Sequence, residues 1–305
     1  MLVTMSGAIL ENFRHNARVV HSMLHESGLP SFVDESATTV RVERGVVLAT
    51  SIDGLVSKAV HPLVDRLIEL ASSPRLPELK VVDAASHSRA AYRPLLVYAW
   101  LQSYRLLYET LPTHEFSRWE EAIRPWADLL ESDLGSTAWP VQTLPASAGD
   151  RWAEMAWDAL ALFVAGKAFV RDVWIDLAAD TFGRLVRGQQ PSGAFLAATP
   201  SDQPETWWYH ELQILHAASS YAVMAEDRTV AAAVARAGAF HQNETQPDHA
   251  TTQPWGLFAL IWNNQTKPLA DQLLHSVKLQ QPGAIDGVSL MLLADCLYCL
   301  RLFGA

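Results

Sequence analysis

The sequence predicts an all-α fold, a ring of helical hairpins in two layers, closed or incomplete. Three observations predict it. Helical segments of about 14 to 20 residues follow one another along the chain, separated by Gly, Pro and polar stretches. From residue 89 onward these segments alternate between helices apolar on every side and helices with one polar face. Loops of similar composition recur at a spacing near 47 residues, a period typical of repeated supersecondary units.

Taken in order, the expected helices are 7–27, 53–73, 89–110, 115–133, 151–165, 168–188, 206–224, 227–243, 252–264, 267–280 and 287–303. Between the first two, Val40 and Val42 alternate with Arg41 and Glu43 before Gly45, which reads as a short β-hairpin over 39–50. Segments 89–110, 151–165, 206–224, 252–264 and 287–303 are apolar around their circumference and need protein on all sides. The helices between them are amphipathic. In 168–188, Phe169, Val173, Leu177 and Phe182 share the segment with Arg171, Asp172, Asp176, Asp180, Arg184 and Arg187. Apolar helices then form the inner layer and amphipathic helices the outer one. The loop Thr199 to Pro204 leads into Trp207-Trp208, and Thr245 to Asp248 leads into Trp255. Trp208 and Trp255 are 47 residues apart, one hairpin unit. The whole chain, 1–305, is expected to form one domain. Its first 80 residues pack on or close the ring, and 85–305 supply the repeated hairpins.

Composition narrows the function. Half of the 305 residues are hydrophobic and 18% are charged, as in a folded protein with a large core. The net charge of −10, with no Lys/Arg cluster, disfavours nucleic acid as a partner. No uncharged apolar run reaches the roughly 18 residues of a membrane span. Met1 to Arg14 shows no basic segment followed by an apolar one, so a cytoplasmic location is expected. Cys296 and Cys299 lie within one apolar helical segment and read as core residues.

Gln189, Gly193 and Phe195 form a Gln-x-x-x-Gly-x-aromatic pattern at the end of an amphipathic helix. A Gln side chain can bond backbone groups left open at a helix end, Gly admits a positive φ, and the aromatic fills the gap between layers. The pattern resembles the repeat motif of the α/α-toroid superfamily. Its stretch Gln189 to Ala194 returns in degraded form as Gln280-Gln281-Pro282-Gly283-Ala284. That superfamily includes terpenoid cyclases, polysaccharide lyases, six-hairpin glycoside hydrolases and zinc-dependent lanthionine cyclases. The Asp-x-Asp-Asp motif of triterpene cyclases is absent, as is any Asp-Asp-x-x-Asp magnesium site. The zinc cysteines of lanthionine cyclases lie on separate segments, unlike Cys296 and Cys299. The resemblance therefore points towards the sugar-processing branches.

The richest candidate segment is Trp207-Trp208-Tyr209-His210-Glu211, at the start of an apolar helix. Trp and Tyr faces suit stacking on sugar rings, and His210 can exchange a proton near neutral pH with Glu211 orienting it. The same residues also suit packing where two layers meet. Tyr209, Gln213, His216 and Ser220 share one face of that helix, a polar stripe that lines either a wet cavity or an internal hydrogen-bond network. Arg151, Glu154 and Asp158 open helix 151–165 beside Trp152 and Trp157. Two carboxylates can divide acid and base roles, although acidic first turns also suit the helix dipole. His241, Glu244, Asp248 and His249 cluster before Trp255 without matching a metal-binding spacing.

These residues lead to an expected enzyme acting on a uronate-type saccharide by elimination or hydrolysis. Trp207, Trp208 and Trp255 would stack the sugar, with Gln213, His216, Arg151 and Glu154 also binding it. His210 or His249 would move the proton, assisted by Tyr209 and Glu211. Arg89, Arg93 or Arg151 would neutralise a uronate. Neither a cofactor nor a metal is expected. Two other readings stay open: a non-catalytic ring holding a protein or peptide partner, and an isoprenoid-binding protein.

Overall fold

The computed structural model describes residues 2–26, 149–197, 204–244 and 257–271, with scattered positions between 121 and 135. The regular elements are α1 (Leu2–Glu26), α2 (Gly149–Phe169), α3 (Asp172–Gly188), α4 (Pro204–Ala225), α5 (Arg228–Glu244) and α6 (Leu257–Trp262). The described positions between 121 and 135 are helical, and another helix begins at Thr266. The fold is all-α, with no strand among the described residues. The expected hairpin over 39–50 lies outside them, as do the segments 53–73, 89–110 and 287–303. No helix among the described residues is long and apolar enough to cross a membrane.

Two rows of helices pack against each other. α2 packs on α3 and α4, α4 on α5 and α6, and α3 on α5. α2, α4 and α6 therefore make one row, while α3 and α5 make the other. Residue type explains the division. From Met155 to Gly166 every residue of α2 is buried, as is every residue of α4 from Tyr209 to Val223. In α3 the buried residues are Trp174, Ala178, Thr181, Phe182 and Leu185, one stripe at helical spacing. Its other side carries the Arg184–Asp180 ion pair, at 2.7 Å. Between the rows the Tyr221 ring stacks on Phe182, 4.1 Å between centroids, and meets Phe163 edge-on at 5.0 Å. Aromatic pairs of this kind contribute about 0.5–1.5 kcal/mol each beyond the area they bury.

The helices end in a shared way. Arg171 N–H donates to Gly166 O, Asp227 N–H to Ala222 O, and Gln265 N–H to Leu260 O. Each bond reaches back five residues over a left-handed residue: Val170 (φ 55°), Glu226 (φ 52°) or Asn264 (φ 61°). This is a Schellman closure made three times without glycine. Asp227 then caps α5, its Oδ1 accepting from Thr229 N at 2.8 Å and Val230 N at 3.0 Å. The sequence places the end of the first of these helices at 165, but α2 continues to Phe169. Gly166 explains the difference. A Cβ there would stand 2.8 Å from Ile175 Cγ1 and 3.0 Å from Arg171 O, so this glycine allows α2 and α3 to approach and does not end the helix.

α1 lies on α5 and α6. Asn16 donates to Ile261 O at 2.8 Å, and Asn12 and Asn16 both donate to Asn264 Oδ1, at 2.6 and 2.7 Å. Phe13 packs on Trp262 beside them, 4.6 Å between centroids. The N-terminal helix thereby secures the last turn of α6 and the left-handed residue that follows it.

Candidate functional site

The Gln189 motif sits where the two hairpins meet. Gln189 Nε2 donates to Gly193 O and to Ala233 O, both at 2.8 Å, and its Oε1 accepts from Arg236 Nη2. Gly193 adopts φ +105°, and a Cβ on it would lie 2.7 Å from Arg236 O. Both conditions require glycine. The turn delivers Phe195, fully buried, into the interlayer core.

Glu211 holds the far side of the same turn. Its carboxylate accepts from Phe195 N at 3.1 Å and from Leu196 N, and His241 Nε2 of α5 lies 3.2 Å from Oε2. Glu211 and His241 are both fully buried. A carboxylate so placed is kept by its donors, since burying it unpaired costs several kcal/mol. Trp207 belongs to the same junction. It is 4% exposed, its indole N–H donates to Ala197 O at 2.8 Å, and its ring meets Phe240 edge-on. His210, also buried, lies against the start of α2, where a Cβ on Gly149 would be 2.7 Å from its Nδ1. Trp208 is half-buried against the core.

Trp207, Glu211 and Tyr221 thus turn one side of α4 towards α3 and α5. With about 3.6 residues per turn, Tyr209, Gln213, His216 and Ser220 fall on the opposite side. All four are buried. Gln213 is fully buried, and among the described residues neither its Oε1 nor its Nε2 has a hydrogen-bond partner. His216 stacks on Trp157 of α2, with centroids 5.6 Å apart and planes 22° apart. Trp157 stands nine positions, two and a half turns, from Gly166, which faces α3. It therefore also points away from the outer row, and Glu154 follows on that side one turn earlier.

Three contacts fix how these two helices align. Gly149 meets His210, Trp157 meets His216, and Phe163 meets Tyr221, pairs about 60 positions apart in the chain. α2 and α4 are therefore parallel, and Glu154 is level with Gln213. The face turned away from the outer row combines a half-buried carboxylate, an indole with an imidazole stacked on it, an amide, a phenol and a hydroxyl.

Several expected site residues are separated by this geometry. Trp207 and Glu211 serve the interlayer junction, while Tyr209, Gln213, His216 and Glu154 share the other face. Arg151 is exposed at the start of α2, and Asp158 is buried. His249, Trp255, Arg89 and Arg93 lie outside the described residues, as do Asp248, Cys296 and Cys299. Sequence reasoning assigned His241 to a loop cluster and Trp157 to the surroundings of two carboxylates. His241 is the buried partner of Glu211, and Trp157 is the platform for His216. The signal for Trp157 was its place on an entirely apolar helix. His241 lay one α-helical turn before a polar loop, and nothing nearby marked it as buried.

No group of three or more His, Cys, Asp or Glu stands ready to hold a metal among the described residues. Burial, with Asp227 adding a smaller repulsion, pushes the Tyr221 hydroxyl up to about 12 from its usual 10. Compared with protein-family models, curated proteins and solved structures, the chain matches none.

Proposed function

We propose that the chain is an α/α-toroid-like enzyme acting on a saccharide by hydrolysis or elimination. Its site is the centre-facing side of α2 and α4. Gln213 carries this reading. A buried amide with neither atom paired costs on the order of 1–3 kcal/mol per group, so a retained one suits a ligand that both donates and accepts. Sugar hydroxyls do both, and their C–H faces suit an aromatic platform such as the Trp157–His216 stack. The site moves inward from Trp207 and Glu211, which are engaged in packing, to Tyr209, Gln213, His216 and Glu154. Glu154 and His216, one turn apart in level, are the groups proposed to divide proton donation and acceptance. A polar stripe in this position disfavours an apolar tunnel for an isoprenoid.

The test is thermal unfolding and calorimetric titration with neutral, aminated and uronate oligosaccharides, using the wild type and Gln213→Leu. A ligand at about a hundred times its dissociation constant adds roughly 2.7 kcal/mol to stability. We expect at least one saccharide to stabilise the wild type, and Gln213→Leu to lose about tenfold or more in affinity. Stabilisation by none of them would sink this reading in favour of a ring that holds a protein partner.

A further inference from the structure

We draw no further inference here: the strongest candidate, the fully buried Gln213 amide on the side of α4 turned away from α3 and α5, belongs to the site already described, and nothing among the described residues shows what covers that side.

Discussion

Glu211 and Gln213 lie on opposite sides of α4, are equally buried, and differ in whether their polar atoms are paired. Towards α3 and α5, Glu211 has two backbone donors and His241, and the Trp207 indole has a carbonyl. On the other side Gln213, just as inaccessible, has no partner for either amide atom. Burial alone therefore does not reveal what a polar residue does on an inner helix. A paired group holds two elements together, whereas an unpaired one lowers stability until something binds it.

The largest effect is expected on the paired side. Glu211→Ala removes the acceptor of two buried N–H groups and of His241, and should cost about 3–5 kcal/mol in urea unfolding. A loss below about 1 kcal/mol would erase the contrast between the two sides. A second prediction uses Tyr221, on the same side. Its hydroxyl is raised to about 12, chiefly by burial, so the unfolded chain loses that proton first as pH rises past 10. Stability should hold below pH 10 and fall between pH 10 and 12, by about 2 kcal/mol in all. Tyr221→Phe should flatten that part of the pH profile, and an unchanged slope would assign the loss to other groups.

Gln213, on the other side, is expected to respond in the opposite direction. Gln213→Leu keeps the volume and removes an unsatisfied amide, so in the absence of ligand it should stabilise the protein by about 1 kcal/mol in thermal unfolding. Destabilisation would mean that the amide is paired in solution. The smallest effect tests a site away from both sides. Val170 is β-branched, left-handed at φ 55°, and 84% exposed. Val170→Gly should gain about 0.5–1 kcal/mol by relieving that backbone, measured by the same thermal scan.

Much of the helical order was legible because it depends on where apolar residues fall. The all-round apolar runs of α2 and α4 and the single stripe of α3 mark inner and outer rows without further information. Gln189, Gly193 and Phe195 were legible for another reason, since a left-handed turn and a close approach both call for glycine. The end of α2 was not, because Val170 closes it in place of a glycine and the nearby Gly166 serves packing. At the candidate site the stripe from Tyr209 to Ser220 could be read from spacing. The separation of Glu211 from that stripe could not. It depends on His241 and on two backbone N–H groups at 195 and 196, which only the tertiary arrangement brings to the carboxylate.

The reach of Gln189 has a consequence for how the molecule assembles. The residue ends the α2–α3 hairpin, yet one of its acceptors, Ala233 O, and its donor, Arg236, belong to the α4–α5 hairpin. The return link runs from Glu211, on α4, to the turn that follows α3. Each hairpin is thus finished by its neighbour, so stability is shared between adjacent units in the manner of a one-dimensional array. A fragment cut between α3 and α4 would expose the Gln189 turn without its fasteners. Order should then spread from one hairpin to the next, and a defect at this junction should weaken the units on both sides of it together.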